Sequence, residues 1–323
     1  MTETPKRVLV TGSAGLLGEA TISQLTSKPG LDVAAGVDIR PTDGPPGETR
    51  RFVSVIRDVR EPLDDLIAGF EPEAVVHLAF LLRTHRDGNF AHEVNVDATE
   101  RLLQACAAGG VKHVVYLSST TVYGAHSGYT KPYSEDDPPN PVKGFQYSEH
   151  KTEAEHLLLR FATEYPDRAV TIMRGCVVMA PGADNFISTA LGTRVLPTPA
   201  GSDPEMQFLH VDDYTSALDA VLSRRAPGIY NIAGDDTMTW RQVAEAAGAR
   251  LVSAPGTMLS AATGISWKLH LQDSSPGPGL NLIRYPWIAS TEKIKRELGW
   301  SPTYTSREAL SSWLDGRSKT TGQ

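Results

Sequence analysis

Tyr147 and Lys151 stand four residues apart, in a stretch from Gln146 to Glu164 whose pattern predicts a helix. At that spacing two side chains share one helix face. A lysine ammonium beside a phenol favours the phenolate and lowers the phenol's pKa. Free tyrosine titrates near ~10, so proton transfer close to neutrality needs a drop of roughly 2–3 units. The pair therefore suits movement of a proton to or from a hydroxyl or carbonyl oxygen. A second group of hydroxyls stands in Leu117-Ser118-Ser119-Thr120-Thr121-Val122-Tyr123-Gly124. It follows an apolar run, His113 to Ser118, that predicts a buried strand. Open α/β sheets place their ligands beyond the carboxyl ends of strands. Ser119 there can hold the oxygen on which the tyrosine acts. Thr120 is expected beside the substrate, and Tyr123 either lines it or packs in the core.

The elements that must position these groups begin with Val8 to Gly18, V-L-V-T-G-S-A-G-L-L-G. Three apolar residues run into a loop with glycine at 12, 15 and 18, and a helix is expected from Leu16 to Ser27. Gly12 permits a tight turn, Gly15 lets backbone approach a ligand, and Gly18 lets the helix pack on the sheet. Free N–H groups at a helix start favour an anion, so the loop is fit to hold a pyrophosphate. Asp38 closes the next predicted strand, A-A-G-V-D. A carboxylate there accepts hydrogen bonds from two ribose hydroxyls and repels a 2′-phosphate, which favours NAD over NADP. Arg40, two residues on, is the competing signal, since it can pair with a 2′-phosphate.

Further strands are read at Arg51 to Ile56, Ala74 to Ala79 and Ala169 to Arg174, alternating with helices at Pro62 to Gly69 and Asn89 to Ala108. Pro41 to Thr49 and residues 124 to 144 read as loops. Alternating β and α with near-continuous apolar strands means a parallel sheet covered on both faces. The second half is less regular. Gln207 to Val211 looks extended, Asp212 to Arg225 helical and Gly228 to Ala233 a strand. Thr239 reads as the N-cap of a helix reaching Gly248, and Thr291 to Leu298 and Ser306 to Leu314 look helical. Residues 253 to 286 carry Gly and Pro interruptions that defeat assignment. The expected fold is α/β, a Rossmann-type doubly wound parallel sheet with a smaller C-terminal substrate-binding lobe. Residues 1–178 and 207–234 form the core; 179–206 and 235–317 form the lobe.

A net charge of −7 over 323 residues disfavours a nucleic-acid partner, because such binders present basic stripes. No uncharged apolar run approaches the ~18 residues of a membrane span. Two cysteines, Cys106 and Cys176, give no disulfide framework and no zinc spacing, and suggest a reduced, cytoplasmic setting. The nine histidines form no metal-ligand pattern, so no metal is expected.

These motifs, in this order, resemble the extended short-chain dehydrogenase/reductases, the NAD-dependent epimerase/dehydratase group. The likeness spans nearly the whole chain. It rests on T-G-S-A-G-L-L-G at 11–18, Asp38, Asp58-Val59, H-L-A-F at 77–80 and N-V-D-A-T at 95–99. It also rests on S-S-T-T-V-Y-G at 118–124, Tyr147 with Lys151, Asn185-Phe186, H-V-D-D at 210–213, Y-N-I-A-G at 230–234 and E-L-G-W-S-P at 297–302. The resemblance implies that Gly12, Gly15 and Gly18 carry the pyrophosphate, with Leu16 and Leu17 nearby. It implies Asp38 at the adenosine ribose, Asp58 and Val59 at adenine, and Leu78 and Ala79 along the pyrophosphate and nicotinamide. Ser119 matches the family's catalytic Ser/Thr, Tyr147 its acid–base and Lys151 its ribose-binding lysine. Family members pair the helices at about 89–109 and 145–165 with their copies, which implies a homodimer.

The activity so implied is hydride transfer between nicotinamide and a secondary alcohol or ketone. Two departures bear on the substrate. Family dehydratases carry an Asp-Glu pair after the catalytic Ser/Thr, and Thr120 and Thr121 stand here. Sugar-nucleotide members carry an arginine before H-V-x-D to meet the diphosphate, and Met206 stands here. Arg284 is a displaced substitute. The favoured substrate is therefore a small molecule of lower charge, in a pocket of Phe80, Tyr123, Met179, Phe186, Phe208 and Trp287. Asn185-Phe186 keeps a nucleoside-diphosphate-sugar 4-epimerase as the alternative enzyme. An NAD(P)-sensing scaffold is the non-enzymatic alternative.

Overall fold

The computed structural model describes residues 4–44, 51–272 and 277–321. Part of the loop expected from Pro41 to Thr49 lies outside the described residues, as do residues 273–276 of the unassigned stretch. The short apolar runs form one seven-stranded parallel sheet. From edge to edge its strands are Gly228–Ile232, Ala169–Gly175, His113–Ser119, Ala74–His77, Arg7–Thr11, Val33–Asp38 and Phe52–Ile56. The first strand lies near the middle, with Val10 opposite both Gly36 and Val76.

Side chains alternate across a strand, so each strand feeds two cores. Val8, Val10, Val76 and Val115 pack against Ile22 and Leu25 of the helix Leu16–Ser27 and against Leu218 and Val221 of the helix Val211–Arg224. Leu9, Val75, Val114 and Ile172 face the other way, onto Leu102, Cys106, Leu158 and Phe161. Burying both faces is what makes these strands apolar throughout.

The structure departs from the sequence reading in several places. The helix expected over Asn89 to Ala108 is three pieces in line: Gly88–His92, a π-helical turn Glu93–Asp97, and Ala98–Ala108. The turn carries Asn95, whose Oδ1 accepts the Leu81 N–H at 2.8 Å. Part of the unassigned stretch is a helix, Gly256–Lys268, followed by a 3-10 segment, Gly277–Ile283. The last helix runs past Leu314 to Thr321.

A third core gathers the C-terminal segments around Ile187, Leu191, Met206, Phe208, Trp240 and Trp313. Three short ribbons edge it. Val195–Pro199 pairs with Arg250–Ala254, Glu205–Met206 with Met238–Thr239, and Val177–Val178 with Phe208–Leu209. Thr239 caps the helix Trp240–Ala246 as expected, in a reciprocal pair of hydrogen bonds with Gln242.

Candidate active site

The glycine loop joins the strand Arg7–Thr11 to the helix Leu16–Ser27, and each glycine meets a different constraint. A Cβ on Gly12 (φ 72°) would stand 2.6 Å from the Ala79 nitrogen, and one on Gly18 would stand 2.2 Å from the Gly12 oxygen. These two positions are closed by backbone. A Cβ on Gly15 meets only the Gly12 oxygen, at 3.4 Å, so Gly15 leaves an open face. The helix that starts there has no side-chain cap. Its first N–H groups can therefore serve an anion from outside.

That open face borders a cleft of about 460 Å³ lined by Leu17, Asp38, Asp58, Val59, Leu78 and Ala79 with the loop. Phe80 lines it as well. Asp38 is fixed by two amides: Oδ2 accepts the Ala14 N–H and Oδ1 the Arg40 N–H, each at 3.1 Å. The Arg40 guanidinium turns back and donates to the Ala14 carbonyl at 2.8 Å. Arg60 donates to Asp58 through Nε and Nη2, at 3.0 and 2.7 Å, and its guanidinium holds that carboxyl below the usual range. The shape and donors of this cleft fit an adenine dinucleotide.

A second cavity of about 650 Å³ adjoins it, sharing Gly15, Leu16, Arg40 and Leu82. Ser119, Thr121 and Tyr147 line its wall, together with Leu16, Asn185 and Phe186. Ser119 ends the strand His113–Ser119, and Tyr147 opens the helix Gln146–Glu164. Lys151 is buried one turn on, as its spacing requires. Its Nζ donates to the Leu117 carbonyl at 2.6 Å and lies 3.7 Å from the centre of the Phe80 ring. Phe80 in turn meets Tyr147 edge-on, 5.5 Å between centroids.

The electrostatics differ from the sequence expectation. Burial pushes the Tyr147 phenol up to about 12, and the group that works against this is the Ser119 hydroxyl. Lys151 is engaged by Leu117, 5.9 Å from the tyrosine ring centre, and burial drives its own pKa down to about 7. Glu155, one turn further, pulls it back up. Glu155 is fully buried, and Arg174 donates to it through Nε at 3.0 Å and Nη2 at 2.7 Å. Ser118 Oγ donates to the same carboxylate at 2.5 Å.

Several expected substrate residues lie elsewhere. Tyr123 is fully buried; it donates to Asn231 at 2.7 Å and accepts from Arg174 Nη1 at 2.9 Å, so it braces the strand ends. Phe208 and Met179 are fully buried in the C-terminal core. Trp287 is buried there too, its Nε1 donating to the Leu282 carbonyl. Thr120 points into protein, buried and with its hydroxyl unpartnered, while Thr121 takes the place at the cavity wall. The reason is a 3-10 turn, Thr120–Tyr123, which rotates successive side chains away from strand alternation. Asn185 lines the cavity, but its side chain is spent on capping the helix Phe186–Leu191 and donating to the Val178 carbonyl. Sequence reasoning missed Thr121, Leu82, Cys176 and the loop Pro181–Asp184 as lining residues. Thr120 and Thr121 stand next to each other after Ser119, and nothing in their spacing showed the turn that sends one inward and the other to the wall.

Among the described residues no group of His, Cys, Asp and Glu could hold a metal ion, and no helix is long and apolar enough to cross a membrane.

A model of the NAD dependent epimerase/dehydratase family matches residues 8–233. The 3-diazoavenalumate denitrifying reductase of Streptomyces sp is 27% identical, over 96% of this chain and 98% of its own. The dTDP-glucose 4,6-dehydratase of Neisseria gonorrhoeae is 28% identical, over 98% of each chain. Among solved structures, MoeE5 in complex with UDP-glucuronic acid and NAD superposes with a TM-score of 0.77 at 26% identity, over 97% of this chain and 99% of that one. The expected Rossmann-type fold, the NAD cofactor and the enzymatic character all agree with these matches.

Proposed function

This chain belongs to the NAD dependent epimerase/dehydratase family, and we propose that it is an oxidoreductase passing a hydride between nicotinamide and a secondary alcohol or ketone. One observation carries the reading: Ser119, Thr121 and Tyr147 share the wall of a cavity that opens onto the glycine loop. Bound there, NAD supplies the hydride acceptor or donor. Gly12, Gly15 and Gly18, with the N–H groups of Leu16 and Leu17, hold its pyrophosphate. Asp38 takes the adenosine ribose, Asp58 and Val59 flank adenine, and Leu78 and Ala79 form the floor. NAD is preferred to NADP because Asp38 is a fixed carboxylate and Arg40 is turned onto Ala14. Ser119 donates to the substrate oxygen while Tyr147 takes the hydroxyl proton in oxidation and returns it in reduction. Lys151, anchored on Leu117 with its Nζ over the Phe80 ring, would hold the nicotinamide ribose.

The substrate is a small molecule without a diphosphate. Arg40 is the one cation among the described residues lining the cavity. Met206 is buried in the C-terminal core, and Arg284 lies against Gly256 and Tyr285 instead. A well-formed charged hydrogen bond to a diphosphate contributes about 1.5–3 kcal/mol, which these residues do not offer. Dehydration also lacks its acid and base, since Thr120 and Thr121 carry no carboxyl. The likeness to a UDP-glucuronic acid complex favours a second reading, a nucleoside-diphosphate-sugar 4-epimerase.

The test is Tyr147→Phe. NAD affinity measured by calorimetry stays near wild type, while turnover on an alcohol and ketone panel falls roughly 10²–10⁴-fold. Retained turnover overturns the assignment. Micromolar binding of UDP or dTDP sugars with 4-epimer formation selects the second reading.

We also propose a homodimer formed through the helices Ala98–Ala108 and Gln146–Glu164, with Leu159, 42% exposed, on the outer face. Leu158 and Phe161 serve the chain's own core, so the free apolar face is narrower than the sequence suggests. Light scattering at the mass of one 34.9 kDa chain would refute it. A reduced, cytoplasmic setting fits the two buried free cysteines.

A further inference from the structure

Two hydrogen bonds end on Ser119 Oγ, and both come from Thr121. The Thr121 N–H donates at 3.2 Å and the Thr121 hydroxyl at 3.0 Å. A serine hydroxyl offers two acceptor sites and one proton. An amide N–H can only donate, so one acceptor site is always taken. Among the described residues Thr121 Oγ1 has no other hydrogen-bond partner, so its proton goes to Ser119 as well. With both acceptor sites filled, the proton of Ser119 has to point away from Thr121. Tyr147 shares the cavity wall with Ser119 and Thr121, and the Ser119 hydroxyl is the group that works to lower its phenol's pKa.

We infer that Thr121 is a positioning residue, committing the Ser119 proton to Tyr147 and to the substrate oxygen between them. The inference rests on the acid–base reading of Tyr147 above. Thr121 is 1% exposed and held in the 3-10 turn, with its carbonyl accepting the Gly124 N–H at 3.0 Å. Its side chain is thereby fixed before any ligand arrives. Among the described residues, Lys151 of its own helix and Tyr116 of the neighbouring strand are the titratable groups behind Tyr147, and Glu19, Arg40 and Asp184 line the same cavity. Glu155 and His77 stand behind these two, with Arg174 paired to Glu155. Phe80 and Phe145 pack on the ring and carry no charge. Ser119 is therefore the neutral donor through which the tyrosine is tuned, and Thr121 sets its direction.

Thr121→Val removes the hydroxyl donor, keeps the amide and nearly keeps the volume. Thr121→Ser keeps the hydroxyl. With NAD saturating, the ultraviolet absorbance of tyrosinate is followed against pH, and Tyr147→Phe supplies the blank. The Tyr147 midpoint is expected to rise by about one pH unit, tenfold in proton affinity, in Thr121→Val. Thr121→Ser should stay within a few tenths of wild type. Thr121→Ala deletes the same donor with a smaller side chain, and carries the test alone if the valine variant does not fold. Equal midpoints in wild type and the hydroxyl-deleted variant overturn the inference and leave the acid–base reading standing. If no tyrosinate signal disappears in Tyr147→Phe, the acid–base reading falls and the inference with it.

Discussion

The two ends of the groove are built from different material. The cofactor end takes short consecutive runs from four adjacent strand ends: the glycine loop, Val37–Arg40, Arg57–Val59 and Leu78–Leu82. Its shape is set by backbone, at places where an added Cβ has no room. The substrate end draws on Ser119, Thr121, Tyr147, Gly175–Val178, the loop Pro181–Phe186 and Leu209. Its shape is set by side chains braced from behind by a buried ion pair, Arg174 with Glu155. A backbone-shaped site rejects added atoms. A side-chain-shaped site accepts new atoms at its wall and fails when a brace is removed.

The strongest way to break the comparison is at the brace. Arg174→Met leaves the Glu155 carboxylate buried without its partner and should cost about 3–5 kcal/mol in urea unfolding. Replacing both residues by Met should recover most of that loss, since two apolar side chains leave no stranded charge. At the cofactor end, Gly18→Ala puts a Cβ into the Gly12 and Ser13 backbone. A loss of about 1–3 kcal/mol is expected, together with NAD binding in calorimetry. Gly15→Ala should fold within roughly 1 kcal/mol of wild type and still weaken NAD, because its Cβ would stand on the open face that the ligand needs.

Acid sharpens the contrast. His77 lies under the glycine loop between Thr11 and Thr99, at 2.6 and 2.9 Å, and burial pushes its pKa down to about 3. An unfolded histidine titrates near 6.5, so between these values the unfolded chain binds a proton that the folded chain does not. Stability therefore falls as pH drops from about 6.5 towards 3, by up to about 1.4 kcal/mol per pH unit for this group. His77→Gln should flatten that slope by one proton in urea unfolding at stepped pH. The smallest effect is Asn185→Ala, which removes a helix cap and should cost about 1 kcal/mol with NAD affinity unchanged.

The cofactor end was legible because its constraints repeat at fixed spacing. Glycines at 12, 15 and 18 and the acid at 38 each answer a local backbone demand, and the helix Leu16–Ser27 was placed to the residue. Tyr147 and Lys151 were legible for the same reason, being one turn apart. The electrostatics between them were not, because the lysine's partner is the Leu117 carbonyl, on an element remote in sequence. Tyr123 and Phe208 misled for a related reason: an aromatic near a motif reads the same whether it lines a cavity or braces a strand. The helix Gly256–Lys268 escaped notice because it has no buried residue. Without a buried face there is no periodic stripe to read. The π-helical turn at Glu93–Asp97 leaves the apolar spacing of its helix nearly intact, and so hides within it.

The strand Gly228–Ile232 closes the sheet late in the chain and carries Asn231, the acceptor for Tyr123. During synthesis the ribosome has made the glycine loop, the serine, the tyrosine and the lysine long before this strand emerges. Until it does, the strand Ala169–Gly175 has an open edge, and the Tyr123 hydroxyl that Arg174 grips has no acceptor on the far side. An unpaired strand edge is where nascent chains stick to one another. Chains terminated before Gly228 are thus the ones that most need a chaperone, although every residue assigned to chemistry is already in them.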